Sequence, residues 1–134
     1  MTPVEGPPTE EVIQVAEFRA VLRRFLRRSE RAARESGLTP QRHLLLVMIK
    51  GAPDGSERST ITELAERLQL AQSTVTELVT RAEAAGLVER RQSRDDARVT
   101  LLCLTGEGER RLARSFRGHA AERQELHAAI ARLD

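Results

Sequence analysis

Tryptophan and tyrosine are absent from this sequence, and three phenylalanines are its whole aromatic complement. A binding pocket walled by aromatic rings is therefore not expected. A single cysteine, Cys103, excludes an internal disulfide and fits a reducing compartment. No apolar run approaches the length of a membrane span and no signal-peptide pattern opens the chain, so a soluble, cytoplasmic protein with no membrane partner is expected. Neither sign of charge dominates, since 22 Lys and Arg stand against 20 Asp and Glu for a net +2. Affinity for nucleic acid would have to come from where the charges sit, not from their sum. Also missing are a glycine-rich phosphate loop, a nucleophile elbow and a carboxylate pair of known catalytic type. His43, His119 and His127 have no metal-site spacing with Cys103 or an acidic residue. No enzyme activity, cofactor or metal is expected. Lys50 is the only lysine; the other cations are Arg, the better bidentate partner of guanine and phosphate, although genome composition would also produce such a bias.

What is present is organised around residues 60–105. Thr60 and Glu63 have capping-box spacing, so a helix should begin at Ile61. Leu64, Ala65 and Leu68 form its apolar stripe. Leu70 falls in a turn, and a second helix should start near Gln72 with Val75, Leu78, Val79 and Ala82 inward. Gln72, Ser73, Thr74, Thr76, Glu77, Thr80 and Arg81 are then candidates for an outward face. Short polar side chains of this kind suit a helix laid in the major groove, where they reach base edges and phosphates. Glu77 reads either as an acceptor for a cytosine amino group or as the ion-pair partner of Arg81 one turn on.

After a stop at Gly86, residues 87–91 and 99–104 read as two short strands. The polar tip between them carries Arg94, Asp96 and Arg98, a basic loop suited to an adjacent minor groove, with Asp96 holding Arg98. Cys103 lies mid-strand among Leu residues, either a half-buried packing thiol or a redox sensor.

The flanks read as helices. Residues 1–8 are a flexible Pro- and Gly-bearing arm, and Thr9 is the expected cap of a helix running to Gly37. On it Val12, Val15, Phe18, Leu22 and Phe25 recur at helical spacing, as core, interface or both. Arg23, Arg24, Arg27, Arg28, Arg31 and Arg34 occupy its other side, solvated or touching phosphate. Thr39 and Pro40 open a helix whose Leu44, Leu45, Val47, Met48 and Ile49 should be buried. Thr105 should cap one last helix, on which Leu112, Phe116, Leu126, Ile130 and Leu133 make a seam broken by His119 and Arg123. A seam this long with little chain left to cover it implies a second copy related by two-fold symmetry.

Taken together, Leu64–Leu68, Ser73–Val79, Ala85–Val88, Asp95–Arg98 and Leu104–Thr105 with Gly108 resemble the MarR family, over roughly residues 10 to 130. The resemblance implies a mainly α (α+β) winged helix-turn-helix with N- and C-terminal dimerisation helices, residues 9–37 and 106–134, around a DNA-binding lobe at 38–105. It also implies a homodimer on double-stranded DNA with a near-palindromic operator, usually repressing, and released by a small-molecule effector. The effector's place would be where the dimer helices meet the lobe, near Arg19, His43 and Met48. Gln69 stands where the family usually has Gly, and Ala71 where a Ser or Asp cap is common, so a looser start to the second helix is expected. The chain also ends where many relatives continue into another helix, so less dimer surface is expected. The competing function is a winged-helix module that binds protein and not DNA.

Overall fold

Among the described residues six helices and one hairpin, one helix more than read from the sequence, follow in order: α1 (Thr9–Glu35), α2 (Pro40–Lys50), α3 (Ile61–Leu68), α4 (Gln72–Ala84), β1 (Val88–Gln92), β2 (Thr100–Leu104), α5 (Gly106–Arg117) and α6 (Ala120–Ala131). This is a computed structural model that describes residues 3–133; Met1 and Thr2 of the expected arm, and Asp134 at the end of the expected last helix, lie outside the described residues. No helix among the described residues is long and apolar enough to cross a membrane.

α2 is the hub, touching α1, α3, α4, α5 and β2, because it is apolar on more than one side. Leu45, Leu46 and Ile49 are sealed from solvent there, against Leu64 of α3, Val75 and Val79 of α4, and Leu102 of β2. Thr39 caps it as expected, accepting from the Arg42 amide at 3.1 Å with Pro40 in the first turn. Leu44 departs from expectation: it is 46% exposed, since a helix has only so much inward arc and Leu45, Leu46 and Ile49 occupy it.

α1 lies along α5 and α6, so the two ends of the chain meet. Its N-cap is Pro8, not Thr9: the Pro8 carbonyl accepts from the Val12 amide at 3.2 Å, which draws Thr9 into the first turn. Val21, Ala32 and Ala33 are buried on α1, whereas Val12, Ile13 and Val15 stay about half exposed.

The single terminal helix expected after the wing is two helices. Gly118 ends α5 and His119, at φ −145°, begins α6. The break is held from outside: Arg28 Nε of α1 donates to the Gly118 carbonyl at 3.0 Å, and a Cβ on Gly118 would sit 3.3 Å from that of Ala32. The expected seam is thereby divided. Leu112 is buried, but Ile130 and Leu133 keep 50% and 40% of their surface exposed, and Ala129 is the buried residue of α6.

Candidate nucleic-acid interface

The helix-turn-helix is built as the sequence implies. Thr60 Oγ1 accepts from the Glu63 amide at 3.1 Å, and the Glu63 carboxylate accepts from the Thr60 amide at 2.9 Å, which starts α3 at Ile61. Gln69 closes α3 in the left-handed region at φ +55°, a conformation that costs a side-chain-bearing residue energy and explains why glycine suits the position. The Leu70 amide then bonds back to the Ala65 carbonyl at 3.1 Å, and the chain re-enters a helix at Gln72.

α4 turns Val75, Val79 and Ala82 fully inward. Gln72, Ser73, Thr74, Thr76, Glu77, Thr80 and Arg81 are all exposed on the opposite side. Ala71 supplies no side-chain cap, so the first-turn amides are open at the positive end of the helix dipole, a geometry that favours anions. Gln72 Nε2 donates to Thr62 Oγ1 at 3.3 Å, fastening the start of α4 to α3. Arg81 and Glu77 form an exposed ion pair at 2.6 Å, the second of the two readings open for Glu77.

The hairpin pairs β1 and β2 antiparallel in a register running from Val88 opposite Leu104 to Gln92 opposite Thr100. Both strands lie one residue inside or outside the expected bounds. A contact absent from the sequence reading extends this small sheet: Ser59, just before α3, bridges Leu102. The wing is fastened to α4 by Arg90 Nε, 3.2 Å from Glu83 Oε1, and to α5 by Thr105, whose hydroxyl donates to the Gly86 carbonyl at 2.6 Å and accepts from the Gly108 amide. Gly108 is required there, since a Cβ would fall 2.2 Å from the Leu87 carbonyl oxygen.

The wing tip is an ordered turn. The Ser93 amide donates to the Val99 carbonyl at 2.9 Å and the Val99 amide to the Asp96 carbonyl at 3.0 Å. Arg98 donates to Asp96 through Nε and a terminal nitrogen, both at 3.1 Å, while its backbone amide reaches Asp96 Oδ1 at 3.0 Å. The Arg98 guanidinium is thus aimed by Asp96 while its side chain stays 90% exposed. That bonding holds the Asp96 carboxyl below the usual aspartate range and pushes Arg98 up. Arg94 is exposed on the same tip. Cys103 is half-buried, and burial pushes its thiol up, the opposite of activation.

Arg19, His43 and Met48 lie in three different settings. Arg19 is exposed on α1, and Met48 is half-buried with its carbonyl accepting from Arg67 at 2.9 Å. The hollow between α1 and α6, about 340 Å³, is lined by Ile13, Phe18, Ala129 and Leu133 among others. His43 is buried in a polar knot not foreseen from the sequence. Ser115 Oγ donates to the Leu112 carbonyl at 2.8 Å, so His43 Nε2–H must donate to Ser115 Oγ at 3.0 Å. His119 Nδ1–H donates to the Ser115 carbonyl at 2.8 Å, with the Phe25 and Phe116 rings each 5.6 Å from its own. Burial, and then the neighbouring His119, hold His43 below the ordinary imidazole range. Lys50, the only lysine, joins Glu57 and Glu109 at 3.0 and 2.9 Å, tying the end of α2 to α5. Local pattern gives no sign of either cluster, since each joins α2 to α5 through a pair distant in the chain, His43 with Ser115 and Lys50 with Glu109.

Comparison with known proteins bears on this geometry. A family model described as the MarR family matches residues 36–99. The fold is shared with AbsC, a MarR family transcriptional regulator from Streptomyces coelicolor (TM-score 0.68, 21% identity, 95% of this chain and 84% of that one). It is also shared with the transcriptional regulator Tm0710 from Thermotoga maritima (TM-score 0.65, 25% identity, 82% and 75%). A third similar structure is a cysteine-to-serine mutant of E. coli MarR complexed with operator DNA (TM-score 0.64, 22% identity, 90% and 85%). No curated protein matches the sequence.

Proposed function

With residues 36–99 matched by the family model and the fold shared with its solved members, this chain is a MarR-family winged helix-turn-helix protein, and from that premise we propose that it binds double-stranded DNA as a homodimer and regulates transcription. MarR proteins are regulators, not enzymes. The observation that carries the reading is the outward face of α4, where Gln72, Ser73, Thr74, Thr76, Glu77, Thr80 and Arg81 stand exposed above an uncapped helix start. In this reading α4 lies in the major groove with its first-turn amides on a phosphate, and Arg94 and Arg98 enter the neighbouring minor groove, Asp96 aiming the second. That the E. coli relative is solved on operator DNA supports duplex DNA as the partner.

Residues 38–105 form the DNA lobe in this proposal, and 9–37 with 106–134 form the dimer contact, preceded by the arm at 1–8. The half-exposed apolar residues of α1 and α6 support that division. Occupation of a near-palindromic operator represses, and a small-molecule effector relieves it to the extent that it binds one lobe spacing better than another. Arg19, His43 and Met48 are its candidate contacts.

The test is binding to the DNA upstream of the protein's own gene across a salt series. Affinity falls steeply, with a log–log slope of about −0.9 for every phosphate neutralised. No binding, or binding indifferent to salt, contradicts the proposal and favours a protein-binding module.

A further inference from the structure

The two threonines at the middle of α4 have their hydroxyl protons already committed. Thr76 Oγ1 donates to the Gln72 carbonyl at 2.9 Å, and Thr80 Oγ1 to the Thr76 carbonyl at 2.8 Å. A carbonyl oxygen only accepts, so each hydroxyl hydrogen lies on the helix's own backbone. Rotating it outward would leave two lone-pair-bearing oxygens facing each other at those same separations, which is repulsive. Outward, each threonine therefore offers a lone pair and its Cγ2 methyl. Glu77 on the same exposed side adds carboxylate oxygens, and Arg81 is held against it at 2.6 Å. The middle of this helix presents acceptors and methyls to whatever lies above it.

Bases in the major groove differ in what they answer with. Guanine shows two acceptors, N7 and O6, while an A·T pair shows an amino group on one strand and a methyl on the other. A lone pair set over guanine meets lone pairs; over cytosine or adenine it faces an amino N–H, but only on an A·T pair does the threonine methyl also find a thymine methyl.

Resting on the DNA-binding reading above, we infer that Thr76 and Thr80 are specificity determinants that select A·T pairs, each seating its Cγ2 methyl on a thymine C5-methyl and excluding guanine. They read as methyl groups, not as hydrogen-bond donors.

The wild-type dimer is first used to select duplexes from a random double-stranded library. A protein that enriches nothing loses the DNA-binding reading and this inference together. On the selected duplex, Thr76→Val and Thr80→Val hold affinity within about threefold, while Thr76→Ser and Thr80→Ser each lose about fifteenfold, the equivalent of ~0.8 kcal/mol for the buried methyl lost from each of the dimer's two α4 helices. Replacing by deoxyuridine the thymines under one of these two residues, in both half-sites, weakens the wild type by the same factor and the matching serine variant no further. The deoxyuridine arm alters only the DNA, so it remains decisive if a variant misfolds. Enrichment of guanine under these residues, indifference to deoxyuridine, or valine variants weaker than serine variants would overturn the assignment while leaving DNA binding intact.

Discussion

Arg98 shows how much one side chain's usefulness depends on its neighbour. An exposed arginine samples many rotamers, and ordering it on binding costs about 1–2 kcal/mol of side-chain entropy. Asp96 takes two guanidinium nitrogens and the backbone amide of the same residue, so much of that ordering is already done in the free protein. Arg98→Ala is expected to weaken operator binding by about 1–3 kcal/mol, read by titration, with the dimer unaffected. An unchanged affinity would remove the wing from the interface. His43 acts on stability instead. Its folded imidazole sits below the ordinary value of about 6.5, so the neutral ring is the form the fold accommodates. The unfolded chain then takes up the proton first as pH falls, and the stability His43 contributes is present above about 6.5 and lost towards its lower folded value. Urea midpoints measured from pH 7.5 down to 5.5 should drop more for the wild type than for His43→Gln. Parallel curves would mean that His43 is not the group being protonated.

Among the elements, α4 is the one whose start is weakest. It lacks a side-chain cap at Ala71 and follows Gln69 at φ +55°. Gln69→Gly relieves the left-handed strain at the cost of an exposed bond from its amide to the Glu66 carbonyl, and is expected to gain about 0.5–1 kcal/mol, seen as a thermal midpoint a few degrees higher. A lower midpoint would show that the side-chain bond outweighs the strain. Features set by neighbours one turn apart were legible in the sequence: the Thr60–Glu63 box, the Asp96–Arg98 pair, the cap at Thr39 and the hairpin. The α5–α6 break was not, because the Gly118 carbonyl is taken by Arg28 and the close packing there is against Ala32, both far back in the chain. The same distance hid the bridge between Ser59 and Leu102 and the burial of His119 beside Phe25. Leu44 misled for a related reason: a run of apolar residues does not say which of them the rest of the fold will cover.

At the scale of the whole molecule, what matters is the apolar surface left on α1 and α6. Val12, Ile13, Val15, Ile130 and Leu133 are each 40–60% exposed, and Ile13 and Leu133 line a hollow between the two helices. On a monomer's surface a change at Ile13 would shift stability by no more than about 0.5 kcal/mol. On a two-fold interface it acts twice, so Ile13→Glu should move the protein towards monomer in sedimentation velocity and weaken DNA binding with it. A variant that stays dimeric would put the contact elsewhere.

In the proposed complex two copies hold two α4 helices against one face of a duplex. Hydroxyl-radical footprinting of the dimer on its selected DNA tests this most directly. Two symmetric protected patches should appear with their centres about 10–10.5 base pairs apart, or a multiple of that. A single patch, or two patches out of phase with the helical repeat, would contradict it.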